Sequence, residues 1–125
     1  MEQAIPDMVT RWQAAWTSLD PDRVAALYAE DGQHMSSVVV ERLGIADGTL
    51  RSRKEVRAYA QASASRLKSF RADIMQVIAD EDGANGRAAV EYWRILNGEE
   101  DKRMRVIEIV EWRDNEITSC RVYHF

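Results

Sequence analysis

The amino-acid sequence predicts an α+β domain, with helices on one face of a mainly antiparallel sheet. Two observations carry that prediction. Before Ser69, apolar residues recur at three- and four-residue steps, the spacing of one helix face; after it, they alternate with a period of two, as in strands. Polar turn dipeptides separate the alternating runs, so helices come first and an antiparallel meander follows. No internal repeat, low-complexity segment or interdomain linker interrupts this order, so residues 1–125 read as a single domain.

Ile5, Met8, Val9, Trp12, Ala15, Trp16 and Leu19 line one face of the first helix, with Pro6 and Asp7 suited to its first turn. Asp20-Pro21 stops it and starts a second helix, with a cap at Asp20 and an inward stripe of Val24, Leu27 and Tyr28. Asp31-Gly32 is expected to end that helix. A short strand is expected within Gln33 to Val40, where Val38-Val39-Val40 has strong β propensity, and residues 41–50 read as a loop. Ser52 and Glu55 form a capping-box pattern for a third helix, which turns Val56, Tyr59, Ala60, Ser63 and Leu67 inward. Strands are expected at Phe70–Ala79, Ala88–Leu96, Lys102–Arg113 and Glu116–Phe125.

The last two strands form a hairpin across Asp114-Asn115. Alternation puts Met104, Val106, Glu108, Val110 and Trp112 on one face, and Arg105, Ile107, Ile109, Glu111 and Arg113 on the other. The first face is apolar except for Glu108. A lone acid there must be hydrogen-bonded, paired, neutralised or at the edge of a cavity, because an unpaired buried charge is very costly. An ion pair with Arg94 or Arg121 is the structural alternative to a pocket-facing acid.

Composition narrows the function. Hydrophobic residues make up 46% and charged residues 30%, with a formal charge of -4, which gives no reason to expect a nucleic-acid partner. Arg51, Arg53, Lys54 and Arg57 cluster but are interrupted by Glu55, as on a solvated helix start. The start of the chain, Met1 to Asp7, has no basic segment followed by an apolar one, and no apolar run is long enough to cross a membrane. The single Cys120 excludes an intrachain disulfide, reads as a packed thiol and fits a reducing compartment; a cytoplasmic location is expected. Two histidines and no carboxylates at ligand spacing give no support for a metal, and no nucleophile triad or phosphate-cradling glycine loop is present.

Three stretches resemble the nuclear transport factor 2-like superfamily, in particular its SnoaL-like polyketide cyclases and ketosteroid isomerases. Trp12 through Asp20-Pro21-Asp22 to Leu27-Tyr28-Ala29-Glu30-Asp31 is similar to the first two helices of that superfamily. Arg53-Lys54-Glu55-Val56-Arg57-Ala58-Tyr59 is similar to the third helix, and Val110 to Ile117 to the closing hairpin turn. The resemblance implies a cystatin-like cone, in which three N-terminal helices pack on a strongly curved sheet around a pocket. Ketosteroid isomerases carry a tyrosine, an aspartate and a second acid at positions that fall here on Trp12, Ser36 and Glu108. Only the last keeps an acid, which argues against that isomerisation, since proton abstraction needs a placed base.

Within such a pocket, Glu108 and His34 are the candidate proton-transfer residues, and no cofactor is implied. His34 has a surface or structural reading as well, and His124 shares the inward parity. Trp12, Trp16, Tyr28, Met35, Ser36, Val106 and Val110 are the candidate substrate-binding residues, some of them simply core. Parity puts Tyr92 and Trp93 on opposite faces. The expected ligand is a hydrophobic small molecule. Ile107 and Ile109, rimmed by charge, would leave an apolar convex face suited to a homodimer. A non-catalytic dimeric binding or assembly module, or an accessory subunit of another enzyme, is the alternative.

Overall fold

The computed structural model describes residues 4–125. The expectation about the chain start rests partly on residues 1–3, which lie outside the described residues. Helices α1 (Asp7–Ser18), α2 (Pro21–Ala26), α3 (Ser37–Leu43) and α4 (Arg53–Arg66) pack with a six-stranded sheet ordered β2-β1-β6-β5-β4-β3. Its strands are β1 (Tyr28–Ser36), β2 (Thr49–Leu50), β3 (Phe70–Asp82), β4 (Asn85–Leu96), β5 (Met104–Arg113) and β6 (Glu116–His124). All neighbours are antiparallel except β1 and β6, which are parallel.

The amphipathic stripes form the core as their spacing requires. Met8, Val9, Trp12, Ala15 and Trp16 of α1 are buried, as are Val56, Tyr59, Ala60 and Ser63 of α4. Asp20 caps α2 by accepting from the backbone N–H groups of Asp22 and Arg23. Ser52 accepts from the N–H of Glu55, but the Glu55 carboxylate reaches back to the N–H of Arg51 rather than to that of Ser52. Asp114 and Asn115 have φ of 53° and 61°, the double left-handed conformation of a type I′ hairpin turn.

Two expectations are corrected. Asp31-Gly32 does not end a helix: α2 stops at Ala26, and Asp31-Gly32 lies inside β1. There the parallel register to β6 shifts between Tyr28 and Gln33. A side chain at Gly32 would stand 2.7 Å from the carbonyl oxygen of Ile117, so the close passage of the two strands requires glycine. Val38-Val39-Val40 is helical rather than extended, which makes α3 a fourth helix. Ser36 caps it by accepting from Val38 N–H, Gly44 closes it at φ 69°, and Val39 is wholly buried. Caps at both ends and burial of one valine outweigh a β propensity worth only about 1 kcal/mol across its whole scale.

The strand register sets the inner face in rows. Val90, Glu108, Val122 and Ser36 form one row; Ala88, Val110, Cys120 and His34 form the next row to one side. On the other side come Tyr92, Val106 and His124, then Arg94 and Met104. The site is assembled on these rows beneath α1, α3 and α4.

Candidate functional site

A cavity of about 410 Å³ opens between this inner face and the helices. Trp12 and Trp16 of α1, Tyr59 of α4, Phe70 of β3 and Tyr92 of β4 supply aromatic walls. Exposed Glu41, Arg42, Arg66 and Asn97 stand at the rim, while His34, Ser36 and Glu108 lie at the floor and are buried.

Glu108 is held by neutral donors. Trp12 Nε1 donates to Oε2 at 2.9 Å and the Tyr92 hydroxyl donates to Oε1 at 2.9 Å. Burial pushes the carboxyl up to about 7, against the opposing pull of hydrogen bonds from Tyr92, the Cys120 thiol and Trp12. The ion-pair alternative does not occur. Arg121 projects from the opposite face by strand parity and binds Glu111, and Arg94 bonds His124 instead. Arg94 lies four positions along β4 from Val90, the Glu108 neighbour, roughly 13 Å of strand.

His34 is buried, not superficial. Its Nδ1 lies 3.0 Å from the Tyr28 hydroxyl, and its ring packs between Trp16 and Tyr59, at centroid distances of 6.4 and 5.5 Å. Burial lowers its pKa to about 4, so the imidazole is neutral at neutral pH. Burial likewise pushes the pKa values of the Tyr28 hydroxyl and the Cys120 thiol well above their usual ranges.

Of the residues expected to meet a ligand, Trp12, Trp16, His34, Ser36 and Glu108 line the cavity. The Ser36 hydroxyl is committed to capping α3. Tyr28, Val106 and Val110 are not lining residues; they are fully buried core around the floor. Met35 is also outside the cavity: it alternates with His34 and Ser36 along β1, so it points to the opposite side, near Val40 and Tyr123. Tyr59, Phe70 and Arg94 line the cavity without having been singled out for it. The inward stripe of α4 already carried Tyr59, whereas the unresolved facing of Tyr92 against Trp93 left Arg94 unplaced. Tyr92 is the inner one, and Trp93 faces outward under the guanidinium of Arg103 at 4.2 Å. His124 lines the cavity near the rim, with Nδ1 3.1 Å from Ser37 Oγ and Nε2 3.3 Å from Arg94 Nη1.

Among the described residues, no group of three or more His, Cys, Asp and Glu side chains is placed to hold a metal ion. No described helix is long and apolar enough to cross a membrane. A second depression, about 550 Å³, lies at the far end of the sheet, where solvated Asp80, Glu81 and Asp82 face Arg87 and Arg113.

The architecture has many solved counterparts. A SnoaL-like protein of unknown function from Burkholderia thailandensis matches with a TM-score of 0.77 at 20% identity, covering 93% of this chain and 89% of its own. A Catenulispora acidiphila protein with a ketosteroid isomerase-like fold, in complex with trimethylamine, matches at 0.71 and 21% identity, covering 96% and 86%. A protein proposed to be a polyketide cyclase, from Sinorhizobium meliloti, matches at 0.72 and 13% identity, covering 95% of each chain. No functionally curated protein matches the sequence. These likenesses establish the shared fold, helices packed on an open, mostly antiparallel sheet. The model of the SnoaL-like domain matches residues 9–120, nearly the whole sequence, and the chain belongs to that family.

Proposed function

We propose that this chain binds a hydrophobic small molecule in the cavity and that Glu108 moves a proton on it. One observation carries the reading: a buried carboxyl at the cavity floor, held by neutral donors with no cation beside it, is poised near neutral pH. A group so poised exists in both protonation states, as general acid and base catalysis needs. The reaction class is proton transfer at a carbon next to a carbonyl, or on an enol. Glu108 takes the proton, and the Tyr59 hydroxyl or the His34 imidazole faces the developing oxyanion. The Catenulispora protein of the same fold, in complex with trimethylamine, is in keeping with a small organic ligand.

The test needs no physiological substrate. β-Tetralone in heavy water exchanges its activated hydrogens, and NMR follows the rate. Acceleration by the wild-type protein, reduced at least about 100-fold in Glu108→Gln, supports the assignment. Undiminished acceleration in that variant overturns it.

The partner reading includes a homodimer through the outer sheet face. Ile78, Ala89 and Ile109 lie side by side across three strands, with Ile107 and Tyr123 adjacent. Ile78 is 64% exposed and Tyr123 43%, and the Glu91–Arg105 and Glu111–Arg121 pairs rim them. Apolar area framed by paired charges suits a self-complementary contact. Sedimentation should give twice the chain mass for the wild type and the single-chain mass for Ile109→Asp. The buried free thiol of Cys120 supports a reducing compartment such as the cytoplasm.

A further inference from the structure

The cavity carries a second charged group that proton transfer does not use. Arg94 projects from β4 into its outer part, and its Nε is buried without a hydrogen-bond partner. Its other nitrogens meet only weak or neutral acceptors: Nη1 the imidazole of His124 at 3.3 Å, Nη2 the sulfur of Met104 at 3.7 Å. Burial and the nearby guanidinium lower the His124 pKa, so that partner is neutral as well. Arg42 and Arg66 stand at the rim, and neither makes an ion pair among the described residues. Two carboxyls share the cavity, Glu41 at the rim and Glu108 at the floor, and neither bonds Arg94.

A partly buried guanidinium with an unmet N–H is costly, and the natural complement of its planar fork is a carboxylate. Three arginines against Glu41 and a half-titrating Glu108 leave the outer cavity positive. A singly charged, planar anion meets that excess without bringing a second negative charge toward Glu108 and Glu41. We infer that the ligand is an aromatic carboxylic acid, its carboxylate paired with the guanidinium of Arg94 and its rings directed inward between Trp12, Trp16 and Tyr59. The inference rests on the reading of the cavity as a small-molecule site, and it names the class of molecule that site takes.

Calorimetry on the full chain at neutral pH tests it with three probes: naphthoate, its neutral isostere naphthamide, and naphthyl phosphate. Naphthoate should bind roughly ten- to hundred-fold more tightly than naphthamide, the range for a hydrogen bond to a charged group. Arg94→Gln should erase that preference. Arg94→Lys keeps the charge but loses the fork, and should lose most of the preference. Comparison of the three probes on the wild-type protein needs no variant to fold. Equal binding of naphthoate and naphthamide overturns the carboxylate inference and leaves the cavity reading standing. Tighter binding of the phosphate overturns the carboxylate in favour of another anion. Failure of every probe to bind removes the small-molecule reading, and the inference with it.

Discussion

The two faces of the same strands treat charge in opposite ways. On the outer face, Arg105 binds Glu91 and Arg121 binds Glu111, each acid meeting a base on an adjacent strand. On the inner face, Glu108 has no cation and Arg94 has no anion, although both project inward from neighbouring strands. Outer pairs are half-solvated, so little is lost if they separate. Inner groups are desolvated, and the register holds them two rows apart, which keeps them from neutralising each other. The outer arrangement costs the fold almost nothing, while the inner one opposes folding and leaves chemistry available.

The inner face should therefore respond most strongly to substitution. The sharpest break is Glu108→Gln in the exchange assay described above, because it removes the proton carrier while retaining an acceptor for Trp12 Nε1. The titration of stability comes next. Glu108 rises from 4.5 unfolded to about 7 folded, so the folded state holds a proton that the unfolded state releases. Its contribution is fully present below 4.5 and is lost as pH rises to about 7, a change of about 3 kcal/mol. His34 falls from 6.5 to about 4, so its contribution is present above 6.5 and is lost as pH falls toward 4. The two slopes oppose each other between about 4.5 and 6.5. Urea unfolding across that range should be shallow in pH for the wild type. In Glu108→Gln stability should climb with pH, and in His34→Gln it should decline. Parallel profiles for both variants would refute the opposing titrations.

Trp12→Phe sharpens the same comparison with a smaller effect. It keeps the ring against Tyr92, whose centroid is 5.3 Å away, and removes one donor to Glu108. The loss should be about 1–3 kcal/mol by chemical denaturation. The Glu108 titration should also move further upward, because one of the hydrogen bonds holding it down is gone. A downward shift would contradict the donor role.

The same distinction explains what the sequence made legible. Alternation alone put Glu108 among Val106 and Val110 on a buried face, since period and burial coincide along β5. Helices α1 and α4 followed from their stripes, and the last hairpin from Asp114-Asn115. The first half of strand β1 was hidden because Glu30, Asp31 and Gly32 show no alternation, while its second half, from Gln33 to Ser36, falls within the expected strand; parallel pairing with β6, about 85 residues onward, makes the whole a strand. Helix α3 was hidden by three consecutive valines, although Ser36 and Gly44 bracketed it with cap residues. Met35 was placed inward against its own parity, which His34 and Ser36 already claimed. Arg94 could not be placed, because its facing followed from Tyr92 or Trp93 being the inner ring, and only packing against Trp12 decides that.

The smallest expected effect lies on the outer face. Arg105→Ala removes the partner of Glu91, with Arg105 51% and Glu91 24% exposed. Water replaces the lost contact, and the double-mutant coupling of Arg105 with Glu91 should be about 1 kcal/mol or less, shrinking in high salt. Arg105 also lies 5.8 Å from the Trp93 ring, so its single-variant cost includes lost stacking that the cycle subtracts. A coupling several times larger would mean that the outer face is desolvated in solution. That is what burial against a second copy would do, so a large value would weaken the contrast between the faces while strengthening the case for the dimer. Repeating the cycle in Ile109→Asp separates these outcomes: coupling that collapses there belongs to the interface, and coupling that persists belongs to the strand pair itself.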